Sequence, residues 1–364
     1  MTTFDRHVIL RFSIATVFLT ALLIVFFIVL DYVEYIDDFI DRGATQQQVF
    51  GTYYLNYIPE IIKLTSPLAL FLATIYTTAR LSQSLQLAAM TMAGVSLYRI
   101  LAPFVLVGVV VTGFMLWFNG FVVPRANVTV LDFQEQYYKS APEGAETTEL
   151  YRQNAPGSLL MVGFYDRTRS RGFRVSLQDF EETDDGTRLA KRMDATEALW
   201  NDTLGVWTFQ GATLRTFHTD GTESRRFIQR LDTTLTVRPR DLARTERDAE
   251  RLTIPETRAY LAALERAGAQ NTGRPEVGYY TKFAYPFANL ILVVLGVPLA
   301  SVRRRGGQAA QLALGLGVAF VYLALQKVVE PFGYAETLPP VVAAWLAHLL
   351  FAGVAVALLL RVRK

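Results

Sequence analysis

ARLSQSLQLAAMTMAGVS, residues 79–96, is the stretch on which the fold turns. It is short, nearly uncharged and set between two long apolar runs. The pattern predicts a helix over Leu81–Ala93, stopped by Gly94, with Val95-Ser96 leading onward. Leu81, Leu85, Ala88 and Met92 share one face by their spacing, and Ser82, Gln83, Gln86 and Thr91 fall on other sides. A helix of this kind between two bilayer spans would lie on the membrane surface or in the groove of a soluble partner. It lacks the cationic face that surface-lying helices usually carry.

The flanking runs are Phe50–Ala79, interrupted by Pro59, Glu60, Lys63 and Pro67, and Ile100–Val123, which holds no charge. Four more resemble them: Phe12–Leu30, Phe283–Val302, Gln308–Gln326 and Leu338–Leu360. Each is near the ~20 apolar residues that carry a helix across a bilayer. Several are apolar all round, which excludes ordinary soluble amphipathic helices. The first run lacks a small-residue cleavage site and reads as a signal anchor. The whole chain of 364 residues has 19% charged residues and a mean hydropathy of +0.24. That is too apolar for a soluble domain and too polar for bare spans, so a water-soluble insert is expected.

Arg6, Arg11, Arg80, Arg99, Arg303, Arg304, Arg305, Arg361, Arg363 and Lys364 all fall on one side when six spans are threaded. Asp31, Glu34, Asp37, Asp38, Asp41, Glu330 and Glu336 fall on the other. Positive charge marks the inside. Both termini are therefore expected in the cytoplasm and the long middle segment outside it.

That segment reads as strands. Phe173, Val175, Leu177 and Asp179 alternate in GFRVSLQDF, residues 172–180. VWTFQGATLRTF (206–217) and LDTTLTV (231–237) follow. Asp184-Asp185-Gly186 and Asp220-Gly221 are turn signals. The fold class expected is a membrane α-helical protein of six transmembrane helices with an inserted all-β, jellyroll-like domain. Its divisions are 1–124 (three spans with a short helix at about 81–94), 125–252 (β domain), 253–275 (helical connector) and 276–364 (three spans). Thr253 is placed to cap the connector helix and Pro255 to sit in its first turn.

Catalysis has little to stand on. There is no GxxxxGK[ST], GxSxG or HExxH, no cysteine at all, and the three histidines are far apart. A net charge of +3 gives no argument for nucleic acid. Gly315 and Gly317 inside the fifth run point to close helix packing, and Arg303–Arg305 to an anchor. Intramembrane charge is costly and tends to be functional, which singles out Lys63, Lys282 and Lys327. They could meet an anionic head group. Alternatively each pairs locally or snorkels, since Glu60 precedes Lys63 by three residues and Glu330 follows Lys327 by three.

The start FDRHVILRF, the segment RLSQSLQLAAMTMAGVS, FVVPRAN after the third span, GVPLASVRRRGG and LPPVVAAWLAHLLF occur in an order and spacing that resemble the LptF/LptG permeases of lipopolysaccharide-export ABC transporters, with the G-type favoured. The resemblance spans essentially the whole chain. It implies a second LptF/LptG-type permease as partner, lipopolysaccharide as cargo and LptC-type and LptA-type periplasmic bridge proteins. It also implies an LptB-type ATPase dimer that binds the ATP and magnesium, this chain holding no cofactor. The segment at 81–94 becomes the coupling helix, with Ser84, Leu85, Gln86, Leu87, Met90, Thr91 and Gly94 docking the ATPase. Lys63, Lys282 and Lys327 become the lipid head-group candidates. The family commonly has an acidic residue at Gln86 and often an arginine at Thr91. Some members have basic residues where this chain is acidic, at Asp31–Asp41. Other readings are a permease for a different lipid or lipoprotein, or a scaffold whose β domain recruits partners.

Overall fold

The computed structural model describes residues 3–138, 147–166, 169–183, 186–202, 204–218, 222–237, 239–242, 250–266, 272–302 and 306–361. Arg303–Arg305, Arg363, Lys364, Asp184-Asp185 and Asp220-Gly221, all used above, lie outside them. The chain forms two compact units. One is Met1–Phe133 with Glu250–Arg258 and Asn271–Lys364; the other is Gln134–Ala249 with Ala259–Gln270.

The first unit holds the expected long helices. Helix α1 is Thr3–Asp41. A π-helical turn, Gln48–Tyr54, leads into α2, Leu55–Gln83. Helix α3 is Gln86–Met92. Helix α4, Leu97–Trp117, runs through a second π-helical turn, Phe118–Val122, into α5, Val123–Tyr137. Helices α8 (Gly273–Ser301), α9 (Gly307–Tyr334) and α10 (Pro340–Arg361) complete the bundle. Among the described residues six helical stretches are long and apolar enough to cross a membrane, one for each apolar run. At about 1.5 Å per residue, the 39 residues of α1 exceed a hydrocarbon core of ~30 Å and must project beyond it.

Helix α8 is the hub. Its most apolar window is 67% buried, against 0% for α1. It packs on α2, α4, α9 and α10, bringing Val293 and Val297 against Leu70, Ala73 and Phe104. Leu292 and Leu295 sit with Phe71, Ile75 and Tyr322. Small residues permit this. A Cβ on Gly315 would lie 2.1 Å from Ile75 Cδ1, whereas one on Gly317 meets nothing. The expectation of close packing thus holds at the first glycine of the pair.

Prolines inside spans strip carbonyls of their helical donors, and lipid offers no replacement. Pro67 leaves the Lys63 carbonyl short, and Ser66 Oγ donates to it at 3.4 Å. Pro286 does the same to the Lys282 carbonyl, which accepts from Asn119 Nδ2 at 3.1 Å. The α8 C-terminus is capped likewise. Gln311 Nε2 donates to the Ala300 and Val302 carbonyls, and Ser82 Oγ to that of Ser301.

Among the described residues of the second unit six antiparallel strands run in sequence order: β1 (Thr147–Ala155), β2 (Ser158–Asp166), β3 (Arg171–Thr183), β4 (Gly186–Asn201), β5 (Val206–Phe217) and β6 (Glu223–Thr233). The insert is all-β as expected. Its described strands form a meander, each pairing with its neighbour in sequence, where a jelly roll interleaves two Greek keys. The pleat aligns Leu150, Val162, Val175 and Ala195 in one row across four strands. Helix α6 (Pro239–Leu242) adds Leu242 to this core, and Trp207 Nε1 donates to the Val237 carbonyl at 2.8 Å. Leu160, Val162, Val175, Trp207, Phe209, Leu235 and Leu242 line one small half-open pocket on this core.

The LDTTLTV alternation misplaces a strand. β6 begins at Glu223 and ends at Thr233, so LDTTLTV covers only its last three residues; the alternation continues past the strand because Leu231 and Leu235 pack on the core and Val237 is buried in it. Helix α7, Ile254–Arg266, starts at the expected cap. Glu256 Oε2 accepts from both the N–H and Oγ1 of Thr253, which holds the Glu256 carboxyl below its usual pKa.

Candidate functional site

The segment 79–96 folds differently from its periodicity. Leu81 and Gln83 belong to the end of α2. The chain then breaks at Leu85, which adopts a left-handed φ of 59°, unfavourable for a β-carbon, and restarts as α3. Gly94, at φ 82°, ends α3 in a Schellman turn: Val95 N–H donates to the Met90 carbonyl and Gly94 N–H to that of Thr91. Ser96 Oγ then caps α4.

The expected apolar face, Leu81, Leu85, Ala88 and Met92, is not the one that is buried. The break at Leu85 rotates α3 relative to α2, so only Leu81 of that set is buried. Leu87 is 6% exposed, and Met90 and Val95 pack beside it against Val8, Leu97 and Leu101. Leu85 (54%), Met92 (83%), Gln86, Ala88 and Ala89 face outward. Helix α3 is therefore pinned by Leu87 and Met90 and presents a nearly neutral outer surface. Thr91 Oγ1 turns back to the Leu87 and Ala88 carbonyls, and Ser84 Oγ to that of Arg80.

The three intramembrane lysines do not share one environment. Lys63 pairs with Glu60 at 2.5 Å, and the other oxygen of Glu60 accepts from Asn127 at 3.1 Å. Lys282 is buried. Its Nζ donates to the Leu252 carbonyl and, at 3.0 Å, to Thr257 Oγ1, tying the start of α7 to α8. Lys327 stays 72% exposed beside Glu330, 2.9 Å away, which also faces Gln326 and Tyr334. Of the three, Lys327 is the one presented outward. In the acidic stretch, Asp31 accepts from the Tyr53 and Tyr54 hydroxyls. Among the described residues no three His, Asp or Glu converge as metal ligands.

Sequence reasoning passed over one feature. His7, Arg11, Ile14 and Phe18 recur every three to four residues on α1, and Leu72, Tyr76 and Arg80 every four on α2. Both stripes line an open groove of about 690 Å³, with Leu312 and Leu316 of α9 on its third side. In the sequence Arg11 and Arg80 carry only a topology signal.

The fold and site together define a multi-pass membrane protein with an all-β insert and a short, outward-facing helix between its second and third spans. The chain belongs to the LptF/LptG family: the family described as lipopolysaccharide export system permease LptF/LptG matches residues 6–361. That match is to both subunit types jointly and does not separate G from F. Comparison with curated proteins gives no match. Family membership makes the chain a permease component of a lipopolysaccharide export system.

Proposed function

We propose that this chain is the transmembrane subunit that extracts lipopolysaccharide from the inner membrane and passes it to a periplasmic bridge. A separate cytoplasmic ATPase of the LptB type, binding ATP and magnesium, docks on the outer face of α3. A second LptF/LptG-type permease pairs with it, and LptC-type and LptA-type proteins receive the lipid. The observation that carries this reading is α3: pinned from beneath by Leu87, terminated by Gly94, and exposed at Gln86 and Met92. A rigid, exposed helix in a chain without a nucleotide motif is a means of receiving force from one that has it.

The Lys/Arg pattern supports cytoplasmic termini and a periplasmic β domain. The sheet order, which leaves β1 and β6 as its edges, supports docking of the bridge at an edge strand. Lys327 is the head-group contact of choice among the three lysines; Lys63 and Lys282 hold the scaffold. The test is copurification with a small cytosolic ATPase and stimulation of its turnover by lipopolysaccharide. Stimulation by another lipid alone would reassign the cargo, and absence of any ATPase would favour a scaffold.

A further inference from the structure

Helices α4 and α8 meet along one stripe, and two contacts fix their register. Asn119 Nδ2, in the π-helical turn that continues α4, donates to the Lys282 carbonyl at 3.1 Å. Towards the other end, a Cβ on Gly108 would lie 3.6 Å from Val293 Cβ. The two helices are therefore antiparallel, with eleven residues between the contacts on each. Thr112 and Asn289 both lie seven residues from the first contact and four from the second, so they stand on facing stripes at one level.

Both side chains are buried, Thr112 at 5% exposure and Asn289 at 1%. Each keeps a polar atom with no hydrogen-bond partner among the described residues, Thr112 Oγ1 and Asn289 Oδ1. The Asn289 amide nitrogen donates to the Pro286 carbonyl at 3.0 Å, so its oxygen is the acceptor left over. Thr16, Thr65 and Thr74 in other spans each donate to the carbonyl four residues back. Thr112 does not, so its hydroxyl is a donor left over. A donor and an acceptor thus face each other across the seam without bonding, and lipid can satisfy neither.

We propose that the seam binds one internal water molecule between Thr112 and Asn289. The Thr112 hydroxyl donates to the water, which donates to Asn289 Oδ1. Its second hydrogen goes to the Gly108 carbonyl, the acceptor that a back-bonded Thr112 would have taken. A neutral molecule that both accepts and donates fits this pair, whereas an ion does only one of the two. The water joins α4 to α8 midway between the Asn119 and Gly108 contacts. The site involves neither cargo nor ATPase, so it stands or falls separately from lipopolysaccharide export.

The full-length chain in lipid nanodiscs is imaged by electron cryomicroscopy at a resolution that shows ordered water. Density for one water should lie between the two side chains. Thr112→Val, which keeps the shape but removes the donor, should lose that density and lower the melting temperature. Thr112→Ser should keep the density. Pulsed X-ray radiolysis in heavy-oxygen water, which oxidises side chains beside bound water, reads the same site in solution. It should mark Val293 and spare Val297, a turn further along and equally buried at 0% exposure. Thr112→Val should abolish the mark on Val293, with melting curves confirming that the variant folds. A direct bond between Thr112 and Asn289 with no water density would overturn the proposal. So would density that persists in Thr112→Val, or equal labelling of Val293 and Val297.

Discussion

Asn119 and Lys282 are joined by a hydrogen bond that exists because of a third residue. Pro286 cannot donate to the Lys282 carbonyl, and the Asn119 side chain, from the π-helical turn after α4, takes its place at 3.1 Å. The buried asparagine thus repairs α8 where a proline breaks its ladder. Asn119→Ala should destabilise the chain by about 1 kcal/mol, measured by thermal unfolding in detergent. In a Pro286→Ala background the N–H returns and the same substitution should cost less than half as much. Additive losses in that double-mutant cycle would show that the two residues are not coupled.

Close helix approach makes a second prediction. A Cβ on Gly333 would lie 2.5 Å from Ala343 Cβ and 2.6 Å from Val277 Cγ2, atoms with no rotamer in which to retreat far. Gly333→Ala should therefore lower stability by about 1–3 kcal/mol through overpacking between α8, α9 and α10. Gly317→Ala meets open space and should be neutral or slightly stabilising. Comparable melting temperatures for the two variants would contradict the packing described.

These contacts mark where sequence reading stops. Hydropathy located all six spans because a bilayer selects on length and polarity, both local properties. It said nothing of Asn119 and Lys282, which are brought together by tertiary packing alone. The strands at Val206 and around Val175 were legible because one face is buried. β1, β2 and the true start of β6 were not, since neither edge placement nor a register set by neighbours leaves a period in one strand. Helix α3 failed instructively. Its stop at Gly94 is chemical and was readable, but its buried face depends on the turn at Leu85, where a leucine holds a conformation usual for glycine.

The edge of the β unit should respond to acid. Arg215 and Arg225 each donate from Nε to Glu223 Oε1 at 2.6 Å. Together they hold the Glu223 pKa down, from 4.5 to about 2. A depressed folded-state pKa contributes stability that is complete above the ordinary value. That stability is lost as pH falls from about 4.5 through about 2. Melting curves of the full-length chain across this window should be flatter for Glu223→Gln than for the parent. Parallel curves would mean that Glu223 is not held by the two arginines in solution.

Helix α3 separates support from docking. Leu87 is buried, so Leu87→Ala should cost about 2–3 kcal/mol by opening the cluster beneath the helix. Met92 is 83% exposed, so Met92→Ala should leave unfolding within about 0.5 kcal/mol of the parent. If α3 docks the ATPase, Met92→Ala should nonetheless weaken association, by about tenfold where the methionine sits at the centre of the contact. Gln86→Glu restores the acidic group common in the family at an exposed position, and should keep or strengthen assembly. Binding assays on the reconstituted complex, paired with melting of each variant, read the two effects apart. Unaltered association in Met92→Ala together with loss of assembly in Gln86→Glu would place the docking register elsewhere on the segment.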